Sequence, residues 1–312
     1  MDTGKKLNSR PILITGSHRS GTTWVGNCIA ASKDVLYIQE PFNIEHTPLG
    51  YKNPFRNWFQ HINELNENEF ATELDKLILK KPEISDYIYK NKGFKSNTKA
   101  LLGYLKAKGK QLTNARPLLK DPIAFFSAEW INSRYQSQNI VVIRHPAAFI
   151  SSLKLKNWQF DFNDFCNQPS LMNRYLSTFE SEIIESAKNN NLDIIDIGIL
   201  LWNCIHHTIL SYQDKYPNWI YITHEQLSTS PVQEFEKIYD RLELEFTKKC
   251  QNTIKLSSGQ HNPKEQIENN EFVRNSAENI YNWKSRLSKD EIARIKVGTG
   301  KIASFFYDKS QW

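Results

Sequence analysis

The 312 residues, 39% hydrophobic and 12% aromatic, suffice for one large α/β domain with a single sheet and exclude a disordered chain. A net charge of +6, from 40 Lys and Arg against 34 Asp and Glu, is spread in pairs such as Lys80-Lys81 and Lys248-Lys249. That dispersal favours anionic ligands in general and leaves no basic stripe for nucleic acid.

Cys28, Cys166, Cys204 and Cys250 lie far apart with no metal-ligand spacing, so they read as reduced thiols and no metal is expected. Residues 1–10 are polar, without the apolar core of a signal peptide, and no run approaches the roughly 20 apolar residues that cross a bilayer. The sequence therefore predicts a cytoplasmic protein with no membrane partner. Nothing in it bears on oligomeric state.

In chain order, the apolar run 11–15 closes on Gly16 and predicts a strand, and residues 23–31 open as a helix. Residues 35–39 and 117–120 are further short apolar runs, ending at Glu40-Pro41 and Asp121-Pro122. Residues 139–143 are the clearest buried strand and end at Arg144-His145-Pro146, while 219–223 end at His224-Glu225. Helical periodicity marks 125–135, 147–155, 195–216 and 232–242. Five strands alternating with helices predict a three-layer α/β fold, a mostly parallel five-stranded sheet flanked by helices. Ligand sites of such sheets lie at the carboxyl ends of the strands. Residues 42–116 are long for a connection yet hold Phe55, Trp58, Phe59, Tyr87, Tyr89 and Tyr104, and predict a helical cap inserted in a single 1–312 domain. A second aromatic insert, 156–165, reads as part packing and part acceptor wall, and Trp24 reads as core.

Residues 16–23, Gly-Ser-His-Arg-Ser-Gly-Thr-Thr, lie between a strand and a helix, where main-chain N–H groups and the helix dipole bind anions. They nearly match the triphosphate loop GxxxxGK[ST], but Thr22 replaces the lysine and Arg19 stands inside the loop. A nucleoside triphosphatase also wants an acidic Mg²⁺ ligand at a strand end, and the clearest strand ends in Arg144 instead. A metal-free nucleotide site follows.

The run Ser17 to Trp24 resembles the 5′-phosphosulfate loop of sulfotransferases that use 3′-phosphoadenosine 5′-phosphosulfate (PAPS). Arg144, at a strand end, and Ser152, eight positions later on a helix, are similar to the 3′-phosphate site of that family. Arg274-Asn275-Ser276 with Trp283-Lys284 loosely resembles the segment that closes over the nucleotide, without its glycines. The likeness is strongest over 11–41 and 118–155. Glu40-Pro41 and Lys120-Asp121-Pro122 make it closer to the bacterial, Golgi carbohydrate and tyrosylprotein branches than to the cytosolic phenol branch, whose Lys-x-His-x-Pro stretch is absent.

The resemblance implies the P-loop-like sulfotransferase fold and transfer of a sulfuryl group from PAPS to a hydroxyl or amine, releasing PAP (3′,5′-bisphosphoadenosine). By that reading Arg19, Ser20, Gly21, Thr22 and Thr23 bind the 5′-phosphate, Arg144 and Ser152 bind the 3′-phosphate, and Arg274 helps close the site. Glu40, 21 positions after Arg19, is the general base, at the offset where tyrosylprotein sulfotransferases hold a glutamate. Lys120 and Asp121 orient the acceptor or neutralise the moving group. Bland alternatives stand beside these: Glu40 as a capping or salt-bridged residue, Asp121 as a cap before Pro122, and His18, His145, His206, His207 and His224 as structural hydrogen-bonding groups. The competing functions are a P-loop kinase or nucleotide hydrolase and a silent nucleotide-binding module. An oligosaccharide acceptor is the first expectation, a polar small metabolite the second, and a peptide tyrosine stays open.

Overall fold

The structure is a computed structural model that describes residues 10–45, 51–79, 115–189, 191–259 and 280–312, with residues 105 and 109. Its main elements are β1 (Ile12–Gly16), α1 (Thr22–Ile29), β2 (Val35–Gln39), α2 (Ala71–Ile78), β3 (Arg116–Lys120), α3 (Ala128–Tyr135) and β4 (Gln138–Ile143). They continue with α4 (Pro146–Lys156), α5 (Ile194–Lys215), β5 (Ile220–Thr223), α6 (His224–Thr229), α7 (Pro231–Arg241), α8 (Lys248–Ser258) and α9 (Lys289–Ala303). All five predicted strands are present. Helices α4 and α7 each begin one residue earlier than the apolar pattern suggests, because Pro146 and Pro231 occupy the first turn, where a missing N–H costs nothing.

The strands form one five-stranded parallel sheet in the order β2-β3-β1-β4-β5. Ile12, Leu13 and Ile14 of β1 and Ile140, Val141 and Val142 of β4 have no exposed surface, as interior strands covered on both faces require. β2, at the edge, is half-buried from Val35 to Ile38 and exposed at Gln39. Pairing is in register from Ile12 with Leu118 to Ile14 with Lys120, and from Val35 with Arg116 to Gln39 with Lys120. On the other side Ile140 pairs with Ile220 and Ile143 with Thr223.

Internal contacts divide the chain into two compact units, Met1–Thr15 with Lys33–Asn139, and Gly16–Ser32 with Ile140–Trp312. In the first unit, α2 is tied to α3 by Asp75. Its carboxylate accepts from Arg134 Nη2 at 2.8 Å and from the Tyr135 hydroxyl at 2.7 Å. Phe55 stacks on Phe42 at 4.1 Å and on Phe70 at 5.4 Å, and Phe55 and Phe59 are both buried. These aromatics of the expected cap are thus core. The cap's Tyr87, Tyr89 and Tyr104 lie outside the described residues.

In the second unit, α5 packs on α4 and α9. Asp193 caps it by accepting from Ile195 N at 3.0 Å. By length and composition α5 could cross a membrane, which the sequence reading did not anticipate, but 56% of its apolar window is buried inside the protein, as in a core helix. The aromatic insert packs inward too, with Phe162 and Phe165 buried and the Trp158 ring edge-on to His18 at 4.0 Å. Trp24, expected in the core, is half-buried and donates through Nε1 to Ser257 Oγ at 3.0 Å.

Gly16 ends β1 at φ 128°, and a Cβ there would sit 2.2 Å from the Val142 carbonyl oxygen. Gly16→Ala should therefore lower stability by at least ~2 kcal/mol, combining overpacking against main chain with left-handed strain. Urea denaturation is the check. A loss under ~0.5 kcal/mol would show that this close approach is not needed.

Candidate active site

The sequence candidates among the described residues fall into two groups, one in each unit, all at the carboxyl ends of parallel strands or in the loop and helix that follow. In the second unit the loop after β1 turns through Ser20 N donating to Ser17 O at 3.2 Å, with Arg19 at φ 60°. Gly21, at φ 95°, caps α1, and a Cβ there would lie 2.5 Å from His224 Nδ1, so the loop needs glycine for both conformation and space. Thr22 opens α1, which has no acidic residue in its first turn. The Ser17 and Ser20 hydroxyls are buried without a hydrogen-bond partner in the protein. Buried hydroxyls want partners, and an anion at this helix N-terminus would supply them. His18 is held neutral, its pKa pushed well below the usual range first by burial and then by the Arg19 charge.

The second motif meets the first here. Arg19 Nε donates to Ser152 Oγ on α4 at 3.0 Å, and Arg144 Nη1 donates to the Arg19 carbonyl oxygen. Two guanidinium groups and a hydroxyl from three parts of the chain thus form one cationic cradle. Sequence reasoning missed what stands behind it. Trp202 Nε1 on α5 donates to the Arg144 carbonyl at 3.0 Å, and the His145 N–H donates to Glu225 Oε1 at 3.2 Å. The Tyr307 hydroxyl donates to Glu225 Oε2 at 2.9 Å. His145 itself is buried between aromatic rings, stacked on Trp283 at 5.2 Å, and burial lowers its pKa to about 3. These groups carry no motif, and only their packing marks them. Arg274 lies outside the described residues.

In the first unit, Glu40 follows β2 at φ 42°, and its N–H donates to the Lys120 carbonyl at 2.9 Å. Its carboxylate accepts from Lys120 Nζ and, at 3.0 Å, from Asn43 Nδ2. Lys120 is 1% exposed whereas Glu40 keeps 21%, so the lysine is the buried support and the carboxylate is the reachable group. Asp121 has no exposed surface. It accepts from Phe42 N at 2.7 Å through Oδ2, and from Ile123 N at 2.9 Å and Ala124 N at 3.2 Å through Oδ1. Those are the contacts of a capping carboxylate that fastens the chain after β2 to the turn after β3. The Tyr37 hydroxyl, which no motif singled out, is buried without a hydrogen-bond partner, and its pKa is raised by burial and then by the charges of Glu40 and Asp121.

The sulfotransferase family model matches residues 11–248. The chain therefore belongs to the sulfotransferase family, and it is a sulfuryl-transferring enzyme. No curated protein sequence matches it. Among solved structures it is similar to the sulfotransferase domain of the Synechococcus PCC 7002 olefin synthase, at 16% identity and TM-score 0.48, covering 98% of each chain. It is similar also to the sulfotransferase domain from the curacin biosynthetic pathway, at 15% identity and TM-score 0.48, covering 96% of this chain and 98% of the other. Mouse sulfotransferase SULT7A1 complexed with PAP matches at 12% identity and TM-score 0.45, over 95% and 85%.

Burial, above all, pushes the Asp121 carboxyl up to about 7, with the Glu40 charge adding to it against the pull of the Phe42 and Ile123 N–H groups and Lys120. An acid whose pKa rises on folding binds its proton more tightly in the native state, so stability falls as pH rises from the unfolded value, near 4, through 7. Unfolding free energies measured from pH 4.5 to 7.5 should decline, and Asp121→Asn should flatten the decline. An equally steep slope in the variant would assign the titration to another group.

Proposed function

We propose that the second unit binds PAPS, with Ser20 to Thr23 and Arg19 on the 5′-phosphosulfate and Arg144 with Ser152 on the 3′-phosphate. The observation that carries this is the Arg19–Ser152 hydrogen bond, together with Arg144 bonded to the Arg19 carbonyl, which gathers both phosphate-binding motifs of the sequence into one cradle. Charge-assisted contacts of this kind contribute about 1.5–3 kcal/mol each. In the reaction Glu40 takes the proton of an acceptor hydroxyl as its oxygen forms a bond to sulfur. The bond from sulfur to the 5′-phosphate oxygen breaks, and PAP leaves with the electron pair, stabilised by Arg19 and the α1 N-terminus. Lys120 holds Glu40 in place, and Asp121 holds the loop that carries it. For the acceptor we infer a carbohydrate or other polar small molecule, and for location the cytoplasm, where Cys28, Cys204 and Cys250 stay as the buried free thiols the structure contains.

PAP should raise the melting temperature strongly, by the equivalent of roughly 2.7 kcal/mol at 100 times Kd, and ATP with Mg²⁺ weakly or not at all. Stronger stabilisation by ATP would replace this reading with the kinase one. Glu40→Gln should bind PAP normally and transfer label from PAPS to the acceptor fraction of a metabolite and glycan extract about 10²–10⁴ times more slowly. Transfer at a near-normal rate would leave Glu40 as a structural partner of Lys120 alone.

A further inference from the structure

Behind the cradle, the turn that carries Arg144 is held from both sides. Trp202 Nε1 fixes the Arg144 carbonyl at 3.0 Å, and Glu225 Oε1 fixes the next N–H, that of His145, at 3.2 Å. Tyr307 reaches Glu225 Oε2 from near the carboxyl terminus at 2.9 Å. Burial raises the Glu225 pKa, and its hydrogen bonds and the Arg144 charge oppose that rise and favour the carboxylate. The carboxylate is the second residue of α6, whose start is set by a full capping box between Thr223 and Gln226, so its position is fixed by main-chain structure. An ionised carboxylate is acceptor-only, which suits one oxygen facing an N–H and the other a phenol.

We infer that Glu225, braced by Tyr307, is a positioning residue for Arg144: it locks the Arg144-His145 turn from which the guanidinium reaches the 3′-phosphate. It thereby sets how strongly this enzyme prefers 3′-phosphorylated nucleotides. The inference rests on the assignment of Arg144 to the 3′-phosphate. A group that only stabilised the fold would lower the melting temperature and weaken all nucleotides alike. Positioning weakens those with a 3′-phosphate selectively.

The test is calorimetric titration of the full chain with PAP and with AMP, alongside melting temperatures. Glu225→Gln should raise the PAP Kd about tenfold, the worth of one charge-assisted hydrogen bond, and leave AMP unchanged. Tyr307→Phe, which keeps the packing, should shift the same ratio in the same direction by about threefold. In an Arg144→Ala background, Glu225→Gln should add less than about twofold, because the two act as one unit. If Arg144→Ala erases the preference for PAP while neither Glu225→Gln nor Tyr307→Phe alters it, Glu225 has no positioning role. If Arg144→Ala itself leaves the preference intact, the 3′-phosphate assignment falls and the inference falls with it.

Discussion

The cradle of the second unit depends on holding two arginines of like charge close together with their donors turned toward one place. Arg144 donates to the carbonyl of Arg19, and Arg19 donates through Nε to Ser152, so each guanidinium is tethered by a neutral acceptor. In the proposed function the phosphates of PAPS meet these two guanidinium groups, and like charges held close together favour an anion beside them. The surrounding structure serves this constraint. Gly16 and Gly21 let the loop pass against Val142 and His224, α4 delivers Ser152, and Trp202 with Glu225 pins the main chain from which Arg144 projects.

The base proposed in the first unit, Glu40, faces a different demand. A general base must be ionised, reachable and held still. Lys120, sealed at 1% exposure, anchors Glu40, whose side chain keeps 21% of its surface open. The left-handed backbone at Glu40, φ 42°, costs of order 1–3 kcal/mol and is held by its N–H bond to Lys120 and by the Asp121 clamp on Phe42. Arg19, at φ 60°, shows the same pattern in the other unit. Among the described residues Phe59, Gln136, Asn157 and Glu243 are left-handed as well, so this backbone is not confined to the proposed site.

Neutral histidines complete the picture. His18, His145 and His206 are buried with lowered pKa values, and each sits against aromatic rings. They add no charge and pack against rings; the structural hydrogen bond expected of them is seen at His206, whose Nδ1 lies 2.8 Å from the Trp202 carbonyl oxygen, whereas both ring nitrogens of His145 are buried without a hydrogen-bond partner.

The sequence by itself determined the strands, the alternation that makes the sheet parallel, and the identity of Arg19, Arg144, Ser152 and Glu40 as candidates. Buried parallel strands must be uniform apolar runs, and a phosphate loop must carry glycines at set places, so both leave local marks. Only the tertiary structure decided that Lys120 is a buried partner of Glu40, that Asp121 caps main chain, and that Trp202, Glu225 and Tyr307 stand behind Arg144. Such contacts join residues as far apart as 82 positions, between Glu225 and Tyr307, and no local pattern records a hydrogen bond that long-range packing alone creates.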